Sequence, residues 1–485
     1  MDDTQHKAIL CRGASDKRPR FGTEFHGFEG LPEGRFQPSE NETSAKLLAR
    51  AASCDVTPRD RPVRLAGYAL RRAPTSTILD PIEISVVLLE CAARRCLIFS
   101  FDLMIVGSEL QNAILARLQR LGFGSDEVVL LASHTHNAPA TDQACARLGV
   151  PEVEFVADVA EAADNLVRQV QNQAPSEIGL EIFQGRLDHS INRRRYWPFP
   201  TIGRMHGFQL TSVTFSPNPS GPKDERATVI LLRMIGGGPP LAVIWHYTCH
   251  PTAVIPDSVI SADFPGAVRL ALRQHFGEIP CLFVQGFCGN IRPNIAASSH
   301  RTGLRERFGR LIRIVAFGNL FPNLSAGDWT RWSRSLAGGV CAITQGEPDM
   351  TLSPASLRTG SASIPLGDFF DGSIPDKKLA AQVVSIGDQL EIVAMSAEPS
   401  VEWETILDQA VPVRAGRIRL YAGYLGALFG YLPTATQVPE GGYEVEGFQP
   451  FFGLSGRFDS ERIGPAVEGC VRSAFEDLEQ RGRDH

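Results

Sequence analysis

The chain has 485 residues, 43% of them hydrophobic and 21% charged, with a net charge of -6. That length leaves room for one large α/β domain with insertions or for two or three smaller ones. The acidic balance and the lack of a basic tract argue against nucleic acid as a partner. No apolar run is long enough to cross a membrane, since residues 98–106 are interrupted by Asp102.

Residues 1–48 are polar, rich in Gly, Pro, Glu and Arg, and read as an irregular arm ahead of a single domain over 49–485. The first residues lack a basic stretch followed by an apolar one, so no secretory signal is expected. Ten cysteines are scattered without a CxxC pair, which favours reduced thiols and a cytoplasmic location. Beyond the arm, 84–89 and 96–106 are β-branched apolar runs expected as strands covered on both faces. Helical spacing follows over 108–121, then a short strand over 127–131 and an amphipathic helix over 152–171.

The alternation resumes with strands at 229–234 and 241–245, a helix at 265–276 opened by Pro265, and a strand at 280–284. A helix over 305–315, strands at 390–395 and 417–421, and a closing helix near 461–480 complete the pattern. The Pro/Gly-rich stretches 214–224 and 435–450 read as loops. Strand–helix alternation of this kind implies an α/β fold, a mixed β-sheet core covered by helices.

Polar residues gather just after the buried strands, where open α/β sheets place their ligands. His134-Thr135-His136-Asn137 follows the strand at 127–131, and two residues of spacing in an extended segment put both imidazoles on one side. His250-Pro251-Thr252 lies shortly after 241–245, and Asp263 stands at a helix start where its carboxylate could instead cap. Gly289-Asn290-Ile291-Arg292 follows 280–284, and Glu398 follows 390–395.

These segments resemble the catalytic domain of the neutral/alkaline non-lysosomal ceramidases, zinc amidases that cleave the N-acyl bond of ceramide. The similar segments are Cys54-Asp55-Val56-Thr57-Pro58, His134-Thr135-His136, Asn192-Arg193, His250-Pro251-Thr252, Glu398, and Tyr431 with Tyr443-Glu444 twelve residues on. The resemblance implies a ceramidase-like α/β domain, without the C-terminal immunoglobulin-like domain of longer members. It further implies Zn2+ held by His134, His250, Glu398 and Tyr431. His136 or Asp263 would transfer protons, while Arg193 and Tyr443 would bind substrate or stabilise an oxyanion.

The sequence departs from the family where its nucleophilic serine is expected, because Arg292 occupies that position. A metal-activated water then becomes the expected nucleophile. Arg292, with Asn137, becomes a candidate substrate contact, favouring a small or anionic amide or ester over ceramide. An amidohydrolase barrel also uses an HxH pair, but the chain lacks eight regular βα units. Two alternatives stay open: a biosynthetic acyl-transfer or cyclisation enzyme, and a catalytically inactive metal-binding protein. A homo-oligomer is likewise left open.

Overall fold

The computed structural model describes residues 45–483, except 70, 72, 198–200, 204–206, 210–211, 255–257, 297–320, 322–323 and 375. Residues 1–44 of the expected arm and the expected helix at 305–315 therefore lie outside the described residues. Ser44–His485 forms one compact unit.

Two sheets carry its framework. The larger runs in the order Cys281–Gln285, Pro240–Tyr247, Arg226–Met234, Ser176–Arg186, Leu48–Asp55, Glu83–Cys91, Arg94–Phe101 and Val128–Ala132, with Met350–Leu352 also paired to Ser176–Arg186. The smaller runs Leu357–Pro365, Lys378–Ile386, Leu390–Met395 and Ile418–Ala422.

Side-chain alternation along these strands explains why the sheets face one another. Val87, Leu89, Ile98, Leu131, Ile230, Ile244, Leu282 and Val284 of the large sheet share one apolar cluster with Val384, Ile386, Ile392 and Leu420 of the small sheet. Their neighbours point the opposite way. Val86, Leu88, Leu97 and Phe99 meet Leu110, Ile114 and Leu118 of the helix Ser108–Arg120 and Phe155, Val159 and Leu166 of the helix Val153–Asn172. Val229, Val243, Trp245 and Phe283 meet Phe264, Val268 and Leu272 of the helix Phe264–Phe276 and Trp332 and Leu336 of the helix Ala326–Ile343. On the far face of the small sheet, Leu379 and Val383 cluster with Val467, Val471 and Ala474 of the helix Ile463–Arg483. The architecture is thus helices, sheet, sheet, helices, and a period-2 apolar strand serves two cores at once.

Three strand pairs within these sheets are parallel: Arg94–Phe101 with Val128–Ala132, Pro240–Tyr247 with Cys281–Gln285, and Leu390–Met395 with Ile418–Ala422. In each pair the carboxyl ends lie side by side, and each pair delivers residues to the site described below.

Some expectations need correction. The run expected as a strand to residue 106 leaves the sheet after Phe101. Asp102 is the cause: its buried carboxylate accepts the Glu83 amide at 2.9 Å and Arg269 Nη1 at 2.5 Å. The 214–224 stretch is partly a strand, Ser212–Asn218, antiparallel to Ser190–Trp197. The 435–450 stretch holds the short helix Gln437–Glu440 and a π-helical turn, Tyr443–Gly447. The helix Ala326–Ile343 was not expected. Its signature is the capping box Ser325/Asp328, in which Ser325 Oγ accepts the Asp328 amide and Asp328 Oδ2 accepts the Ser325 amide. No helix among the described residues is long and apolar enough to cross a membrane.

Candidate metal centre

The first histidines arrive as the chain leaves Val128–Ala132. His134 takes φ +66°, a conformation L-residues avoid, and the turn is held by its amide donating to the Leu103 carbonyl at 2.9 Å. Its Nδ1 lies 2.7 Å from the Met104 carbonyl. The segment that Asp102 turns out of the sheet therefore fixes both the backbone and the ring of His134. A carbonyl only accepts, so Nδ1 carries a hydrogen toward it and Nε2 is the ring atom that faces the cluster.

His250 repeats the arrangement, with Nδ1 3.2 Å from the carbonyl of Cys288, which follows the neighbouring strand Cys281–Gln285. The two Nε2 atoms meet at 3.0 Å. His136 Nε2 stands 3.2 Å from His134 Nε2, and Glu398 Oε2 stands 3.3 Å from the same atom. Burial, and then the adjacent His134, hold the protonation of His136 and His250 well below the ordinary histidine range. Neutral imidazoles whose lone pairs face one another gain nothing from the contact, whereas a cation between them satisfies each.

The residues fit such an ion. His134, His136 and His250 form a group able to hold a metal. Ligands about 2.0–2.1 Å from a tetrahedral centre sit roughly 3.3 Å apart, close to the separations around His134 Nε2.

A separate two-stranded ribbon, following strands of the small sheet, supplies the oxygen side. Glu398–Pro399 pairs in parallel with Tyr431–Leu432, setting Glu398 opposite Tyr431. The approach is close: a Cβ on Gly289 would stand 2.5 Å from the Glu398 carbonyl oxygen, so only glycine fits there. Tyr424 follows Ile418–Ala422 at φ +61° and stacks on His134 with ring centroids 4.0 Å apart. Its hydroxyl lies 3.0 Å from Cys288 Sγ and donates to Glu398 Oε2 at 3.4 Å.

Beside this cluster lies a buried arginine. Arg193 donates through Nε to Glu444 Oε1 at 2.9 Å and through Nη2 to the Gly289 carbonyl at 2.6 Å and the Tyr431 hydroxyl at 3.1 Å. Arg194 Nη1 donates to the other oxygen of Glu444 at 3.0 Å. The two guanidiniums keep Glu444 ionised, its pKa lowered even though burial alone would raise it. Tyr443 packs on Tyr431 with centroids 5.4 Å apart, and its hydroxyl makes no hydrogen bond among the described residues.

The structure thus gathers His134, His136, His250 and Glu398 into one cluster, with Tyr431, Tyr443 and Arg193 at its side. Asp263 takes the capping role open to it rather than that of proton transfer, and Asn137 is placed otherwise than expected. Asp263 Oδ2 accepts the amides of Ala253 and Val254 at 3.0 and 2.9 Å, and Oδ1 accepts that of Phe264 at 2.6 Å. It caps a helix and ties the loop after His250; burial raises its pKa to about 6 despite those donors. Asn137 is fully buried, and its Nδ2 donates to the Val259 carbonyl at 2.9 Å. Arg292, on the short strand Ile291–Pro293, lies with its guanidinium carbon 3.9 Å from the Phe321 ring centroid.

Tyr424, Tyr68 and Arg71 were not foreseen. Tyr424 follows a strand end, so the rule that found the histidines reaches it too. Tyr68, whose ring centroid is 5.1 Å from that of His136, and Arg71, which donates to the His136 carbonyl, come from a loop that no strand end marks.

No family model and no curated protein matches the sequence. Solved structures do. Neutral ceramidase from Pseudomonas aeruginosa superposes with a TM-score of 0.67 at 16% identity, over 90% of this chain and 75% of that one. A ceramidase complexed with C2 superposes with a TM-score of 0.64, also at 16% identity, over 90% and 76%. The chain has a ceramidase-like fold.

Proposed function

We propose that this chain is a zinc-dependent hydrolase of an amide bond in a small-molecule substrate. The observation that carries the reading is the convergence of the His134 and His250 Nε2 lone pairs, each fixed by a backbone carbonyl behind the ring. Rings anchored in this way are ligands, with Glu398 and Tyr431 completing the set; imidazole and hard oxygen donors suit zinc. His136 differs from both in being only partly buried, which leaves it open to exchange protons. It is the proton carrier of the site.

Bound zinc supplies Lewis acidity, bringing the pKa of a water toward about 7 and polarising a carbonyl. Water adds to the carbonyl carbon while His136 Nε2 accepts its proton. His136 then returns a proton to the nitrogen as the C–N bond breaks, releasing an acid and an amine. The Tyr443 hydroxyl, without a hydrogen-bond partner among the described residues, donates to the developing oxyanion. Arg193 acts as a positioning residue, holding the Tyr431 hydroxyl and the Gly289 carbonyl.

Elemental analysis of the parent protein and of His134→Ala and Glu398→Ala tests the reading. About one zinc per chain in the parent, lost in both variants, is expected. A parent purified without chelator that carries no transition metal removes the zinc mechanism. Zinc without turnover of any amide leaves a metal-binding protein.

A further inference from the structure

Among the described residues, two guanidiniums near the histidine cluster, those of Arg71 and Arg292, have no carboxylate paired with them. Arg71 donates through Nη2 to the Ala66 and His136 carbonyls, but its buried Nε and Nη1 have no partner. Arg292 is half-buried, its Nε is buried without a partner, and no carboxylate among the described residues pairs with either arginine. Arg193, by contrast, is neutralised by Glu444 at 2.9 Å.

The surroundings of Arg292 say what is missing. Its guanidinium carbon is 3.9 Å from the centroid of Phe321, which covers one face, and 6.0 Å from that of Phe215, which lies nearby. Phe215 is 46% exposed, which opens this slot to solvent. Arg71 lies 5.0 Å from the Tyr68 ring centroid, and Tyr68 in turn packs on His136. Burial and then Arg193 lower the Arg292 guanidinium to about 10, which leaves it charged at neutral pH. A planar cation covered on one face by an aromatic ring offers its N–H edge for recognition, and a planar carboxylate meets that edge with two parallel hydrogen bonds.

We infer that Arg292, reinforced by Arg71, binds a carboxylate of the substrate, so that the amide hydrolysed belongs to an N-acyl amino acid or a related anionic amide. This rests on the hydrolase reading above and names its substrate class. The carboxylate docks on the guanidinium edge, and the amide carbonyl then extends toward His136 past Tyr68.

The test uses the full chain, zinc-loaded and chelator-treated, titrated calorimetrically with N-acetylglycine and with its methyl ester. The acid is expected to bind about 10- to 100-fold more tightly, the range of charge-assisted hydrogen bonds. Arg292→Gln should abolish that preference, and Arg292→Lys, which keeps the charge but not the fork, should retain part of it. Near-UV circular dichroism checks that each variant is folded; if Arg292→Gln does not fold, Arg292→Lys alone decides. A parent that binds acid and ester alike overturns the inference, as does an Arg292→Lys that discriminates as the parent does. If the preference disappears when zinc is stripped, the metal and not Arg292 holds the carboxylate, and the inference fails while the zinc reading stands. If the preference persists in a protein that never carries zinc, the hydrolase reading fails and the carboxylate site stands.

Discussion

At the histidine end of the site, the carbonyls of Met104 and Cys288 hold two rings so that their lone pairs meet at 3.0 Å. At the arginine end, carbonyls and aromatic faces hold Arg71 and Arg292, whose remaining N–H groups face no carboxylate among the described residues. One end has surplus acceptors and the other surplus donors. Arg193, between them, shows what this fold does with a charge that needs no visitor: Glu444 meets it with both neighbours buried. Buried polar groups are ordinarily satisfied, so excesses of opposite kind in one site mark what each end is built to receive.

The contrast breaks most visibly if the compensated arginine is made to resemble the other two. Glu444→Ala leaves Arg193 and Arg194 buried without their shared carboxylate and should cost about 3–5 kcal/mol, read from urea unfolding. A loss under about 1 kcal/mol would mean that burial of an unpaired guanidinium is tolerated generally here, and that Arg292 needs no ligand to satisfy it.

Asp263 sharpens the same comparison at smaller cost. Asp263→Asn keeps the cap to Phe264 in part but weakens the amide contacts of Ala253 and Val254, for an expected loss of about 1–2 kcal/mol. Its kcat should stay within a few-fold of the parent. A folded, zinc-loaded Asp263→Asn with turnover abolished would return Asp263 to the role of proton carrier.

At the histidine end the comparison is sharpened by pH, acting on the metal-free chain. His136 and His250 have folded-state pKa values lowered below the unfolded value of about 6.5, so the unfolded chain takes up protons first on acidification. Stability is fully present above pH 6.5 and is lost as pH falls, at up to roughly 1.4 kcal/mol per pH unit for each ring. Stability unchanged between pH 7 and 5.5 would show that the rings are protonated in the folded state and that their lone pairs do not converge.

Much of this was legible in the sequence because strand ends are local signals. Apolar runs gave the α/β fold, and the polar residues just beyond them gave His134, His136, His250 and Glu398. What could not be read is set by distant contact. The carboxylate that neutralises Arg193 lies 251 residues away. Asp263 looks equally suited to capping and to proton transfer until its three amide donors are in place. The second sheet facing the first was also hidden, since an apolar strand looks the same whether it covers a helix or another sheet.

Among the described residues, only Ala92, His134, Asp263 and Tyr424 take positive φ without being glycine, and the last three lie in or beside the site. Each such residue stores about 1–2 kcal/mol of backbone penalty. Replacing His134 by glycine relieves that penalty while deleting the side chain, so part of the damage is masked in any measure of folding. A mutational survey scored by abundance alone would therefore pass variants at this position that have lost their chemistry. Only selection for turnover would see them.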